Sequence, residues 1–269
     1  MPFWTLFGLH HGKATTRWPL SGQNDGQVGV LGMPRLDTAK CEPGCDACVK
    51  CCPTAAITRS PDITASSIPE IDYGRCVNCQ LCTEVCPTGA MATSGDWAFG
   101  VRDRRDLLWT QAVASADGRK VPEEISRVFG RSLFIRHVDA GSCNGCESEL
   151  QALNNPFYNL HRLGIFFTPS PRFADLLLVT GPVTYAMRDV LLETYSQMPE
   201  PRWVFAMGTC AVSGGIVEGD YACGYGVDPI IPVNVYLPGC PPNPAAIISA
   251  LLILLGRSSQ RVHGGRIHE

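Results

Sequence analysis

The chain has 269 residues, with 22 basic and 25 acidic side chains and a net charge of -3. That balance offers no basic footprint for nucleic acid and no polybasic anchor for a lipid surface. Its 45% hydrophobic content supports a core in one large domain or two smaller ones, and 14 cysteines against 6 histidines make thiolates the expected metal ligands.

The opening MPFWTLFGLHHGKATTRWPL has an apolar patch at 3–9 but no basic segment before it and no small-residue cleavage site after it. A disulfide scaffold needs an oxidising compartment and therefore export, so the thiols are read as kept for metal in a reducing one. The FWTLF segment suits either a membrane or partner surface or packing on its own domain.

Two thiol-rich blocks follow at 41–52 and 76–86, each closed by a similar phrase, CPTAAIT and CPTGAMA. This is an internal repeat, read as a small pseudo-symmetric unit that depends on its metal for folding energy. Cys76, Cys79, Cys82 and Cys86 give C-x2-C-x2-C-x3-C-P. Three closely spaced thiolates converge on the corners of an iron–sulfur cube, and the cysteine before proline leaves for the other cube. Zinc ribbons use separated C-x2-C pairs instead. The first block reads Cys41, Cys45, Cys48 and Cys52, with Cys51 competing through the series Cys45, Cys48, Cys51. Cys41 is preferred, because Cys48-x3-Cys52-Pro keeps the pattern where the last ligand leaves. The crossed sets are then Cys41, Cys45, Cys48 with Cys86, and Cys76, Cys79, Cys82 with Cys52.

Mixed charge around apolar positions in 97–130, such as DRRDLLWTQAV, reads as one or two linking helices. From 133 the texture becomes α/β. LFIRHV (133–138), LGIFF (163–167), DLLLVTG (175–181), WVFAMG (203–208) and PVNVYLPG (232–239) read as strands. Helices are expected at about 146–154, 184–197 and 242–255. AAIISALLILLG is too short to cross a bilayer and reads as a buried helix. Near-continuous apolar strands with helical crossovers imply a parallel sheet covered on both faces.

Cys143 and Cys146, in SCNGCE, follow the first of these strands; Cys210 follows WVFAMG and Cys240 follows VNVYLPG. All four fall at carboxyl ends of parallel strands, where open α/β sheets place ligands. Gly145, Gly208 and Gly239 permit tight turns beside a bulky cluster, and Pro241 and Pro242 open the next helix. Twelve of the fourteen cysteines then serve three 4Fe-4S clusters, leaving Cys51 and Cys223. Glu147 is either an acid beside the cluster or a solvated helix-start carboxylate. No P-loop and no G-x-G-x-x-G after a strand is found, so no independent catalytic site is expected.

The first half resembles a two-cluster 4Fe-4S ferredoxin domain, and GKATTRWPL (12–20) is similar to the lead-in of ferredoxin-type subunits of membrane-bound hydrogenases and respiratory complex I. Through CNGCESE, TPSPRFADLLLVTGPVTYAM, GTCAVSGGI and VYLPGCPPNP, residues 133–256 resemble the small subunit of membrane-bound, energy-converting NiFe hydrogenases, including the formate hydrogenlyase type. They also resemble the homologous 20 kDa-type subunit of complex I, which uses adjacent cysteines where this chain separates Cys143 and Cys146 by two residues.

The resemblance implies a flavodoxin-like α/β domain (131–256) preceded by a small ferredoxin-like α+β domain (1–96), with a helical linker (97–130) and a polar tail (257–269). It implies that Cys143, Cys146, Cys210 and Cys240 hold the cluster nearest the partner's active site. The expected partners are a NiFe-containing large subunit, membrane-arm subunits, and an electron-donor subunit or soluble ferredoxin, with no nucleic acid. The expected location is peripheral, on the cytoplasmic side of the cell membrane. A complex I-like quinone oxidoreductase subunit is the alternative.

Overall fold

A computed structural model describes residues 3–12, 18–19, 27–59, 68–109, 132–258 and 260. The elements in chain order begin with α1 (Phe3–His11), β1 (Arg35–Leu36), α2 (Ala47–Cys51), β2 (Ile57–Thr58), β3 (Glu70–Asp72), α3 (Leu81–Glu84), β4 (Met91–Ala92) and β5 (Leu108–Trp109). The second half contributes β6 (Leu133–Asp139), α4 (Gly145–Ala152), β7 (Ile165–Phe167), β8 (Leu176–Thr180) and α5 (Tyr185–Ser196). It ends with β9 (Trp203–Met207), α6 (Thr209–Ser213), β10 (Val235–Leu237) and α7 (Pro244–Leu254).

In the second half the strands align in the order β10-β9-β8-β6-β7, all parallel. Counted from β6 this is 2-1-3-4-5, the doubly wound order of the flavodoxin type. Successive side chains of a strand point to opposite faces, and the core divides accordingly. Leu176 and Leu178 of β8 face a cluster with Leu150 of α4 and Ile247, Ile248 and Leu251 of α7. Leu177 and Val179 face the other way, into a cluster with Leu191 of α5.

That second cluster continues into the first half. Met33, Leu36, Ile57, Ile71, Tyr73, Leu107 and Trp109 belong to it together with Val204 and Tyr236 of the large sheet. The small thiol-rich half therefore covers part of the sheet and shares its core. Val101 makes an antiparallel bridge to Tyr236, which extends the attachment to the sheet's edge.

The first half holds two small antiparallel sheets, β1-β4 and β2-β3-β5. β5 lies where a linking helix is expected from the sequence. Residues 104–107 make only a 3-10 turn, capped by the Asp103 carboxylate on the Arg105 N–H. The chain then extends, because Leu107 and Trp109 are both buried and Ile71 pairs with Trp109 across the sheet. The remainder of the expected linker, 110–131, lies outside the described residues. So does most of the polar tail, although Gln260 is tied down by its Nε2, which donates to Asp106 at 2.8 Å. Among the described residues no helix is long and apolar enough to cross a membrane.

Candidate metal centres

α2 and α3 pack against each other and carry the middle of each thiol block. Cys48 and Cys82 are their buried residues, which turns one thiol of each block inward. Two hollows flank this pair. One, of about 290 Å³ and partly open to solvent, is lined by Cys41, Cys45, Cys48 and Cys86. The other, of about 370 Å³, is lined by Cys52, Cys76, Cys79 and Cys82. The last cysteine of each block thus lines the hollow of the other. Cys51 lines neither, and its thiol donates to the Cys48 carbonyl at 3.4 Å.

The repeat extends to the groups around each departing cysteine. Cys52 accepts from the Ala56 N–H at 3.2 Å and lies 3.7 Å from the Thr54 hydroxyl. Cys86 accepts from the Met91 N–H at 3.3 Å and lies 3.8 Å from the Thr88 hydroxyl. Burial pushes the Cys86 thiol up, but these donors outweigh it and hold the thiol below its ordinary value. Elsewhere burial wins. Cys48 is pushed up to about 11 by burial and then by Cys41, Cys45 and Cys86. Cys76 and Cys82 are pushed up to about 12, first by burial and then by neighbouring thiols. Arg59 adds a cation to the first hollow, donating from Nη2 to the Cys45 carbonyl, and its charge works against the burial that raises the Cys41 thiol.

A third set of thiols gathers at the carboxyl edge of the parallel sheet. Cys143 stands on the turn from β6 into α4, Cys146 in the first turn of α4, Cys210 in α6 directly after β9, and Cys240 in the turn after β10. Burial raises Cys146 most, followed by Glu147, Cys210, Cys240 and Cys143, so the four thiols act on one another. Burial, then Cys240 and Cys143, pushes Cys210 up to about 11. Gly208 leaves β9 at φ +88°, and a Cβ there would stand 2.6 Å from the Cys146 sulfur. Cys143 and Cys240 are exposed, so the set opens to the surface.

Glu147 is not a solvated carboxylate. It accepts from the Ser142 hydroxyl at 2.7 Å and from the Thr180 hydroxyl, and its side chain is 12% exposed. His137 meets the same Thr180 hydroxyl at 2.9 Å, and burial pushes its pKa down. The sequence reading missed His137, Thr180, Arg59 and Thr209. The threonine of CPT recurs in both halves of the repeat, and that signal was available for Thr54 and Thr88.

These donor sets fit iron–sulfur groups. Four soft thiols surround each of two hollows, and four more meet beyond three strands. Among the described residues no three His, Cys, Asp or Glu side chains close on the position of a single metal ion. A cube takes each thiolate on a separate iron, so its sulfurs do not converge on one point.

A parallel sheet with thiols at its carboxyl edge, joined to a repeated thiol-rich unit, defines the class of small iron–sulfur electron-transfer subunits. Residues 143–254 match the family of the NADH ubiquinone oxidoreductase 20 kDa subunit, and residues 40–90 match the 4Fe-4S dicluster domain. The chain is 45% identical over 133 residues to formate hydrogenlyase subunit 7 of Escherichia coli, covering 49% of this chain and 52% of that protein. It thus spans about half the length of that relative. It is 39% identical over 141 residues to a probable membrane-bound hydrogenase subunit of Pyrococcus furiosus, covering 52% of this chain and 84% of that protein. A chain of an archaeal membrane-bound sulfane sulfur reductase is 36% identical with a TM-score of 0.44, covering 49% of this chain and 73% of that one. The chain belongs to the family of the membrane-bound hydrogenase subunit of Pyrococcus furiosus, is related through residues 143–254 to the 20 kDa subunit of NADH ubiquinone oxidoreductase, and carries an N-terminal iron–sulfur domain.

Proposed function

We propose that this chain is the electron-transfer subunit of a membrane-bound NiFe hydrogenase complex, holding three 4Fe-4S clusters between a donor module and the NiFe large subunit. The observation that carries this reading is the grouping of twelve thiols into three sets of four, two around hollows and one at the sheet edge. When bound, the clusters would supply one-electron carriers.

The chain's own residues do the rest. Cys41, Cys45, Cys48 and Cys86 hold the first cluster; Cys52, Cys76, Cys79 and Cys82 the second; Cys143, Cys146, Cys210 and Cys240 the third. The shared core fixes the first two sets against the third. The N–H groups of Ala56 and Met91 stabilise charge on the sulfurs they face. Ile216, Tyr221 and Tyr225, exposed in the loop that leaves Cys210, supply an apolar and aromatic surface for a large subunit. Phe3, Leu6, Phe7 and Leu9 of α1 are exposed as well and suit a membrane-arm subunit; in this reading the chain sits peripherally, on the cytoplasmic side of the membrane.

The complex I-like alternative draws on the family match of residues 143–254, with the third set delivering electrons to quinone. The separation of Cys143 from Cys146 favours the hydrogenase. The test is metal analysis of the native complex, purified without oxygen. At least about thirteen irons per chain, four for each cube and one at the nickel–iron site, are expected together with about one nickel. An iron-rich intact complex without nickel would replace the hydrogenase by the quinone-linked reading.

A further inference from the structure

Thr209 opens α6 at 1% exposure, with its hydroxyl at the seam between the two halves. The hydroxyl donates to the Cys76 carbonyl at 2.8 Å and accepts from the Gly239 N–H at 3.0 Å. The Thr209 N–H in turn donates to the Gly239 carbonyl at 2.9 Å. Cys76 lines the second hollow, Cys210 directly follows Thr209, and Cys240 directly follows Gly239. One buried hydroxyl therefore ties together three loops that carry thiols of two different sets. Beside it, Arg75 pairs with Glu218 and donates from Nε to the Thr54 carbonyl at 3.1 Å, so the seam is pinned at a second point.

We infer that Thr209 is the positioning residue that fixes the set Cys52, Cys76, Cys79, Cys82 against the set Cys143, Cys146, Cys210, Cys240 and completes the bonded path between them. This rests on the relay reading above. The path runs from the Cys76 carbonyl through the Thr209 hydroxyl and along the Thr209 backbone to Cys210. In the transfer it serves, one electron leaves the group held by the first of these sets and one is gained by the group held by the second. No bond is made or broken and no proton moves; a low-potential one-electron donor upstream supplies the electron. Of the two hollows, it is the second that this contact joins to the sheet-edge set.

Losing the hydroxyl leaves the half-buried Cys76 carbonyl and the buried Gly239 N–H each short of a partner, so the segments that carry them shift to find new ones. The test uses the whole complex carrying Thr209→Val, Thr209→Ala or Thr209→Ser. Iron is counted, the magnetic interaction between the two reduced groups is read by EPR, and their equilibration is timed after rapid reduction with dithionite. Thr209→Val and Thr209→Ala are expected to weaken the interaction and slow equilibration on the order of tenfold, while Thr209→Ser behaves as wild type. Iron loss shared by Val and Ala but absent in Ser supports the holding role; equal loss in all three overturns it. Full iron with wild-type interaction and rate in Thr209→Val also overturns it. A wild-type complex lacking the signals of these sets would overturn the relay reading itself, a result distinct from normal wild-type signals untouched by the substitution.

Discussion

At position 208 the chain can carry no side chain without disturbing the third thiol set. Its φ is +88°, and a methyl there would press to within 2.6 Å of the Cys146 sulfur. The backbone strain alone costs about 1–3 kcal/mol, and the sulfur has to move as well. Gly208→Ala is therefore expected to cost about a third of the iron, the share of one cube in three, while the first half keeps its own. Retention of all the iron would count against that set. Arg59 acts by charge rather than space. A cation beside Cys41 and Cys45 favours the more negative, reduced state of whatever cluster these thiols hold. Arg59→Gln is expected to lower that cluster's midpoint potential by on the order of 60 mV, a tenfold change for one electron, and to leave the other two alone. A redox titration followed by EPR measures both. The two thiol blocks stand out in the sequence by their spacing, and Cys210 and Cys240 by their places after strands, whereas spacing alone leaves Cys41 and Cys51 in competition. Arg59 and Thr209 do not stand out, since an arginine or a threonine gains its role here only from contacts across the fold.

α2 bears on the two readings of the first thiol block. Its five residues end at Cys51, which turns back to its own helix carbonyl at Cys48, while Cys41 enters from the preceding turn to line the hollow. Cys51→Ser is therefore expected to keep the full iron content, and Cys41→Ser to lose one cluster or leave it with three irons. The opposite pattern would hand the position to Cys51. The long elements of the second half were readable from sequence, because β8 and β9 are apolar throughout and α7 repeats small and branched apolar residues. All five expected strands and all three expected helices are present there. The two- and three-residue strands of the first half carry no periodicity long enough to detect, and only their partners define them. β5 shows tertiary context overriding a helical pattern. The charges of DRRD suit a helix, yet burial of Leu107 and Trp109 against β3 draws the chain straight.

The whole molecule joins metal binding to folding through one core. Ile71, Tyr73 and Trp109 of the thiol-rich half pack in the same cluster as Val179 and Val204 of the large sheet, so metal taken by either half would add to a stability that both share. The thiols add a dependence on pH. In the metal-free chain burial, with neighbouring thiols second, holds Cys48 up to about 11 and Cys76 and Cys82 up to about 12. An unfolded cysteine titrates at about 8.5. The folded metal-free chain thus binds more protons than the unfolded one between about 8.5 and 12, and its stability falls as pH rises through that window. Below about 8.5 that contribution is fully present. Iron uptake runs the other way. Each of these thiols must give up its proton to become a ligand, so loading releases protons and strengthens as pH rises. Raising pH from 7 to 8 is expected to favour loading by about tenfold for each such proton released. It is also expected to leave the metal-free midpoint in urea nearly unchanged until pH passes about 8.5. Anaerobic reconstitution of iron-stripped complex at graded pH, with urea unfolding of the stripped form alongside, measures both. Loading that ignores pH would mean that these thiols are already thiolates in the folded chain, and burial would then not be what governs them.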